Sequence, residues 1–171
     1  PSHGPIYKNP ERILEVYSKW TAGETKEKAI VVYASMWSST ETMIKTMVET
    51  LLSEGIEVSL YNLLHADIGE MAKDLVDSRA IILGTPTVLG GMHPLAIYAA
   101  YLVKALRPPL KYGAILSSYG WGGGAVRQAL EILGPTKIEI VGTLEVNGPP
   151  SAEDHQKIVE MGKQLSNLLF S

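Results

Sequence analysis

The sequence predicts an α/β fold, in which helices cover both faces of one doubly wound, five-stranded parallel sheet. Apolar, strand-like runs alternate along the chain with helical segments, which is typical of parallel strands joined by right-handed crossovers. The runs are continuous in valine, isoleucine and leucine, as expected for strands that are buried on both faces. The length of 171 residues, of which 46% are hydrophobic, suits one domain with a short appendage.

Residues 1–28 are predicted to form the appendage. Asn9 and Pro10 are typical of a helix N-cap and a first helical position, and apolar residues follow at helical spacing at Ile13, Leu14, Val16, Tyr17 and Trp20. The next stretch, TAGETKEK at residues 21–28, is polar, contains glycine and lacks apolar periodicity. It is therefore predicted to be a linker.

Five β/α units follow, over residues 29–171. The strands are predicted at residues 29–34, 57–61, 80–83, 112–116 and 138–146. The helices are predicted at residues 40–54, 68–76, 94–106, 125–133 and 152–169. Doubly wound sheets bind ligands beyond the carboxyl ends of their strands, where the strand order reverses. The candidate site therefore comprises loop one (residues 35–40), loop three (residues 84–94) and loop four (residues 117–128).

The composition excludes several classes of function. The net charge is −3, with 15 basic and 18 acidic residues interspersed, so neither nucleic acid nor an anionic membrane is an expected partner. Without cysteine there are no disulfides, CxxC redox motifs or thiolate metal sites, and a redox function would need a bound cofactor. The sequence has no apolar run of about 20 residues and no signal-peptide pattern, so we expect a soluble, cytoplasmic protein.

Loop one, SMWSST, places four hydroxyl side chains at the start of a predicted helix: Ser35, Ser38, Ser39 and Thr40. Unpaired N–H groups and the helix dipole favour an anion at that position. The Walker pattern G-x-x-x-x-G-K-[ST] is missing, so a nucleoside triphosphate with magnesium is a poor fit. Four hydroxyls in six residues favour a small phosphomonoester, with simple helix capping as the alternative.

Loop three, GTPTVLGGMHP, carries Thr85 and Thr87 on either side of Pro86. Gly90 and Gly91 then allow the backbone to approach a ligand closely. The loop could supply main-chain contacts along the edge of a flat ring. An ordinary turn between a strand and a helix is the alternative interpretation.

Loop four, SSYGWGGGAVRQ, carries Tyr119 and Trp121 among four glycines. Aromatic side chains on a glycine-rich loop are typical of stacking against a planar ligand. The string GWGGGA at residues 120–125 also matches the dinucleotide fingerprint G-x-G-x-x-[GA], with Glu145 as a conceivable ribose acid. That match is weak, because such a fingerprint normally follows the first strand of its unit and only one strand follows here.

The hydroxyl-rich loop one, the string TPTV and the string SSYGWGGGAV together resemble the flavodoxin-like FMN domain of flavodiiron proteins, also called A-type flavoproteins. This resemblance covers nearly all of residues 29–171 and implies the short-chain form of the flavodoxin-like fold, with strand order 2-1-3-4-5. The N-terminal stretch PSHGPIYKNPERILEVYSKW resembles the junction that follows the metallo-β-lactamase-like domain of that family. Residues 1–28 would then be junction, helical arm and linker, with His3 as the last ligand of a di-iron centre.

The resemblance implies a function in electron transfer. FMN would pass electrons from an external donor to a di-iron site that reduces O2 to water or NO to nitrous oxide. In family dimers the flavin of one chain faces the iron of the other, so we expect a redox donor and the di-iron domain of a partner subunit as partners in a homo-oligomer. No H-x-E-x-D-H string occurs and the remaining histidines stand alone, so this chain is expected to hold FMN but no metal and no catalytic residue. It would be an oxidoreductase only as part of the full-length protein.

The resemblance also assigns the cofactor contacts. The phosphate is assigned to Ser35, Ser38, Ser39 and Thr40. The ring is assigned to Trp37, Thr87, Tyr119, Gly120 and Trp121. Further contacts are assigned to Met36, Pro86, Val88, Leu89, Gly90, Gly91, Ser118, Gly122 and Gly123. Family members often carry Asn-Asn-Gly where this chain has Leu-Gly-Gly at residues 89–91, so side-chain amide contacts are not expected there.

Two other classes of protein are alternatives. One is a free-standing flavodoxin-type electron carrier or an NAD(P)H-dependent flavin or quinone reductase, which a second cofactor pocket would favour. The other is a phosphoacceptor receiver module, which shares the doubly wound frame. A receiver needs acidic residues at the ends of strands one and three, where this chain has Ser35 and Thr85.

Overall fold

The computed structural model describes Ile6 and residues 8–171, and this part of the chain contains six helices and six strands. His3 lies outside the described residues. The elements in chain order are α1 (Pro10–Ala22), β1 (Lys28–Tyr33), α2 (Ser39–Ser53), β2 (Glu57–Asn62), α3 (Ile68–Asp74), β3 (Ala80–Val88), β4 (Gly91–Met92), α4 (Pro94–Leu106), β5 (Tyr112–Tyr119), α5 (Ala125–Leu133), β6 (Glu139–Asn147) and α6 (Ala152–Leu169).

The sheet has the strand order β2-β1-β3-β5-β6, and all four neighbouring pairs are parallel. The short strand β4 pairs only with β3, in antiparallel orientation. Counted over the five main strands, this order is 2-1-3-4-5, so the predicted fold class is confirmed. The strand order reverses between β1 and β3, because the chain passes from β1 to β2 on one side and then returns to β3 on the other.

Side chains of the central strands alternate between two cores. Ile30 and Val32 face one core, which helices α3, α4 and α5 cover. Val31 and Tyr33 face the other core, which helices α2 and α6 cover. Strand β1 is buried along its whole length, as the continuous apolar run predicts. The sheet is therefore a rigid frame for the loops at its carboxyl edge.

Loop three is partly strand. The prediction that residues 84–94 form a loop is wrong for the first half, because β3 continues to Val88 and turns back as β4. The hairpin pairs Thr87 with Met92 and Val88 with Gly91. Its turn residues, Leu89 and Gly90, have φ angles of 50° and 80°, a conformation typical of a two-residue hairpin turn. Pairing with β5 as far as Pro86 also gives the backbone of this segment its hydrogen-bond partners.

The predicted linker is shorter than residues 21–28. Helix α1 includes Thr21 and Ala22 and ends at Gly23, whose φ of 69° suits a left-handed C-cap. At the other end, Lys28 belongs to β1. Helix α1 buries none of its residues, so it contributes nothing to either core of the domain.

Lys28 is a buried cation at the start of β1, with only 5% of its side chain exposed. Its Nζ lies 3.1 Å from Asp74 Oδ1 and 3.3 Å from Asp77 Oδ1. Tyr61 donates a hydrogen bond of 2.6 Å to the other oxygen of Asp74. Burial alone would raise the pKa of Asp74, but the hydrogen bonds from Tyr61 and Lys28 outweigh it and lower the pKa to about 2.

We expect Asp74 to make the stability of the domain sensitive to acid. Its pKa in the folded chain is below the ordinary value of 3.8. The stabilisation from the ionised carboxylate is therefore complete above about pH 4. As the pH falls towards 2, the unfolding free energy decreases by about 2 kcal/mol. Urea unfolding followed by circular dichroism between pH 2 and pH 6 measures this loss. In Asp74→Asn this part of the pH dependence should disappear, and a profile parallel to that of the wild type would contradict the assignment.

Candidate functional site

Three strands of the sheet, β1, β3 and β5, end beside a cleft of about 380 Å3. The cleft lies where the strand order reverses, the position at which doubly wound sheets bind ligands. Its volume is within the range of small-molecule sites, about 300–1,000 Å3. Its lining residues are Ser35, Met36, Trp37, Ser39, Thr40, Pro86, Thr87, Val88, Ser118, Tyr119, Gly120 and Gly148.

The first turn of α2 offers free backbone donors to the cleft. Ser38 is the N-cap, with a φ of 65°, and its side chain makes no capping hydrogen bond. The N–H groups of Ser39 and Thr40 donate to no acceptor among the described residues, whereas Glu41 N–H reaches Ser35 Oγ at 3.4 Å. In contrast, side chains cap α1, α3, α4 and α6. Free N–H groups at the positive end of a helix dipole favour an anion.

A buried pair of hydroxyls joins loop one to the end of β5. Thr40 Oγ1 and Ser118 Oγ lie 2.9 Å apart, and the two residues are only 1% and 6% exposed. On the next strand, Thr87 Oγ1 lies 3.5 Å from Ser117 Oγ. Because a hydroxyl can both donate and accept, the pair of Thr40 and Ser118 can offer a hydrogen bond to the cleft without adding charge.

Large apolar side chains stand at the walls of the cleft. Met36 and Trp37 line it from loop one, and Tyr119 lines it from the end of β5. Met36 is 54% exposed and Trp37 is 87% exposed. Large side chains left in water at a cleft are typical of a binding surface. The cleft therefore combines an anion-binding end with apolar walls that suit a flat ring.

Seven of the residues predicted to contact the cofactor do not line the cleft: Ser38, Leu89, Gly90, Gly91, Trp121, Gly122 and Gly123. Gly90 lies in the hairpin turn, and its carbonyl is so close to Gly124 that a Cβ there would overlap it. Leu89 and Trp121 are fully exposed to solvent. The hairpin turn thus packs against the start of α5, and loop three reaches the cleft only through Pro86, Thr87 and Val88.

The turn after β6 also contributes to the cleft, through Gly148. Gly148 N–H donates to the carbonyl of Tyr119 at 2.8 Å, and Asn147 Nδ2 donates to the carbonyl of Gly120 at 3.0 Å. The turn therefore supports one wall of the cleft. Sequence reasoning missed it, although the string NGPP at residues 147–150 is a turn signal at the carboxyl end of a strand.

The first turn of α5 is occupied by the chain's own carboxylate. Glu145 Oε1 accepts hydrogen bonds from the N–H groups of Gly124 at 3.0 Å and Ala125 at 3.1 Å. The helix N-terminus that a dinucleotide fingerprint would offer to a pyrophosphate is therefore already neutralised. Residues 120–125 match that fingerprint in sequence, but they offer no free anion site.

A larger cavity of about 510 Å3 lies at the opposite edge of the sheet. It opens near the amino ends of β5 and β6, and its lining includes Lys104, Arg107 and Lys137. Parallel sheets bind ligands at their carboxyl edge, and none of the three loops reaches this cavity. The cleft beside β1, β3 and β5 is therefore the candidate site.

Comparison with protein families shows the family of the chain. The flavodoxin family model matches residues 31–162, which include the strands and loops that form the cleft. The chain belongs to the flavodoxin family. Loop one, loop three and loop four of this flavodoxin domain all fall within the matched region.

Relatives of this flavodoxin domain are longer proteins. A nitric oxide reductase of Moorella thermoacetica is 37% identical over 97% of this chain and 42% of its own length. The structure of rubredoxin oxygen:oxidoreductase from Desulfovibrio gigas matches with a TM-score of 0.89 at 25% identity, over 94% of this chain and 40% of that one. A variant of the flavo di-iron protein of Thermotoga maritima matches with a TM-score of 0.86 at 30% identity, over 99% of this chain and 43% of that one. The resemblance to flavodiiron proteins is thus confirmed, and the chain spans about two fifths of the length of these relatives.

Two further findings concern metals and membranes. Among the described residues, no three histidine, aspartate or glutamate side chains lie close enough together to hold a metal ion. His93 accepts a hydrogen bond from Leu95 N–H at the start of α4, and His155 is hydrogen-bonded to Thr46. Within the same part of the chain, no helix combines the length and apolar character that crossing a bilayer requires.

Proposed function

We propose that the flavodoxin domain binds FMN and transfers electrons within a longer protein that reduces O2 or NO. The observation that carries the proposal is the cleft, in which free N–H groups of α2 lie beside apolar walls. The names of the relatives, a nitric oxide reductase and a rubredoxin oxygen:oxidoreductase, support the choice of O2 or NO. We propose residues 1–28 as the connection to a preceding domain, and helix α1, which buries none of its residues, suits that role.

The residues of the cleft suit FMN in their donor chemistry. A phosphate would be held by the N–H groups of Ser39 and Thr40, with the hydroxyls of Ser35, Thr40 and Ser118 as further donors. Of the residues that the structure describes, no lysine or arginine lines the cleft. The negative charge would thus be balanced by the helix dipole and by hydrogen bonds.

The ring would lie between the apolar walls. Trp37 and Tyr119 offer aromatic faces, and Gly120 and Gly148 leave the backbone accessible. Bound FMN would supply reversible electron transfer, which the side chains of this chain cannot provide. The role of the protein is to orient the ring, to limit its contact with water and to fix the phosphate.

The partners belong to the same proposal. We propose a redox donor in solution and, in a homo-oligomer of the longer protein, the di-iron domain of a partner subunit. The exposed side chains of Leu89 and Trp121 stand on the two loops that border the cleft and suit contact with such a partner. A cytoplasmic location is proposed for the longer protein.

Identification of the released cofactor tests the proposal. The purified chain should bind one FMN, and denaturation followed by chromatography should release FMN and neither FAD nor a nicotinamide dinucleotide. The reason is that the cleft has one anion site, at α2, while Glu145 occupies the start of α5. Release of FAD, or failure to bind FMN on reconstitution, would refute the assignment.

A further inference from the structure

Glu145 is a partly buried carboxylate on β6 that does not line the cleft. It forms no ion pair with a basic side chain among the described residues. A carboxylate removed from water needs such a pair or hydrogen bonds in its place. Its position therefore requires an explanation.

Backbone N–H groups of α5 replace the missing cation. Glu145 Oε1 accepts from Gly124 at 3.0 Å, Ala125 at 3.1 Å and Val126 at 3.4 Å. These are the unpaired donors of the first helical turn, at the positive end of the dipole. The same oxygen is 3.4 Å from Thr87 Oγ1, which donates to it from the hairpin side. Glu145 thus connects β6, the end of β3 and the start of α5.

The glycines of loop four accommodate this carboxylate. A Cβ at Gly123 would overlap Glu145 Oε2, so any larger residue would displace the carboxylate. A Cβ at Gly124 would overlap the carbonyl of Gly90 in the hairpin turn, and Gly124 has a φ of 138°. Contacts within the protein therefore explain the glycines at positions 123 and 124, and no nucleotide is needed to account for these two.

The consequence for the cleft follows from chain connectivity. Tyr119 and Gly120 line the cleft, and the segment that begins with them ends at Gly124. Residues 147–148 of β6 and its turn hold the first end of this segment through the carbonyls of Tyr119 and Gly120. Glu145 holds the second end. The end of β6 and the turn after it therefore fix both ends of segment 119–124.

We propose that Glu145 is a positioning residue for the cofactor cleft, which holds segment 119–124 in place as one wall. The proposal rests on the proposed binding of FMN. It predicts that Glu145 acts on the ring and not on the phosphate, because the residues of this wall that line the cleft, Tyr119 and Gly120, are assigned to the ring. The residue does not touch the cofactor in this assignment.

Amide hydrogen exchange of the cofactor-free chain tests the anchoring. In Glu145→Ala, the amides of residues 124–126 should exchange at least about tenfold faster, because they lose their acceptor. Glu145→Gln retains an acceptor oxygen at the same position and should restore most of the protection. Glu139→Ala, at the other end of β6, serves as the control. In this variant the amides of residues 124–126 should exchange at the rate of the wild type. Unchanged exchange in Glu145→Ala would overturn the proposal.

Cofactor affinity tests the link to the cleft. Glu145→Ala should weaken FMN and riboflavin by the same factor, about tenfold, and Glu145→Gln should bind both nearly as well as the wild type. If Glu145→Ala does not fold, Gly123→Ala displaces the carboxylate and should give the same equal losses. If the wild type binds FMN and the variants bind it with the same affinity, the role of Glu145 is overturned but the proposed function is not. Absence of FMN binding in the wild type would overturn the proposed function and, with it, this role.

Discussion

Ser39→Glu should weaken FMN binding by about 100-fold and leave riboflavin binding unchanged. Ser39 is the first residue of α2 and lines the cleft, beside the free N–H groups. Two negative charges about 5 Å apart repel by about 3 kcal/mol at an effective dielectric constant of about 20. A loss of that size corresponds to about 100-fold in the dissociation constant. Riboflavin lacks the phosphate and so lacks the charge that is repelled.

The same substitution should not destabilise the cofactor-free chain. An acidic side chain at a helix N-terminus interacts favourably with the dipole, by about 0.3–1 kcal/mol. The gain should be at the lower end, because Glu41 already lies in this turn. Urea unfolding without cofactor should therefore give an unfolding free energy equal to or slightly above that of the wild type. Lost binding with retained stability is the signature of an anion site.

Thr42→Glu is the matched control. Thr42 lies in the same helix and is exposed, but it does not line the cleft. The variant adds the same charge at a greater distance from the phosphate site, where water and salt screen it, so FMN affinity should change by no more than about threefold. Fluorescence titration with FMN and with riboflavin measures all four affinities. Equal losses for FMN in both variants, or a loss for riboflavin in Ser39→Glu, would place the phosphate elsewhere.

Local signals in the sequence predict the helix boundaries well. The bounds of α4, α5 and α6 agree with the predicted ranges. Pro94 occupies the first helical position of α4, and Ser151 forms a capping box with Asp154 at the start of α6. Such signals act over three or four residues, so a single sequence is enough to find them.

Features that depend on residues far apart in the chain could not be predicted. The sequence predicts that β3 ends at residue 83 and that Thr85, Pro86 and Thr87 belong to loop three. They remain extended because β5 and β4 pair with them. Likewise, Glu145 lies about 20 residues from the glycines that it contacts, so the sequence shows only a weak match of the glycine run to a dinucleotide fingerprint and not this contact. No local pattern distinguishes a helix N-terminus whose N–H groups bind a ligand from one whose N–H groups bind a carboxylate of the same chain.

Gly84→Val should lower the unfolding free energy by about 3 kcal/mol. Gly84 lies in β3 between Tyr33 of β1 and Leu116 of β5, and it faces Ile44 of α2. A Cβ at this position would lie 2.8 Å from Ile44 Cγ1 and Cδ1 and 2.8 Å from Tyr33 Cβ. Atoms that close must move apart, and overpacking of a buried core costs about 1–3 kcal/mol, occasionally more. Valine adds two further methyl groups to the same space, so the upper end of that range is expected.

The substitution also tests how the core supports the site. Ile44 lies one helical turn after Thr40. If the introduced valine pushes α2 away from β3, the free N–H groups of α2 also move away from the cleft. FMN affinity should therefore fall together with the unfolding free energy. Gly122→Val is the control for stability, because a Cβ at Gly122 meets no atom within 4 Å. Its unfolding free energy should stay within about 0.5 kcal/mol of the wild type.

A double-mutant cycle that combines Gly84→Val with Ile44→Ala identifies the clash. Removing the Ile44 side chain leaves a cavity that the introduced valine can partly fill. The loss of unfolding free energy in the double variant should therefore be smaller than the sum of the two single losses, by at least about 1 kcal/mol. The clash with Tyr33 Cβ remains, so the rescue should be incomplete. Urea unfolding followed by circular dichroism measures the four free energies. Additive losses would mean that the packing of α2 on β3 does not limit this position, and that the strain arises within the sheet, between β1 and β3.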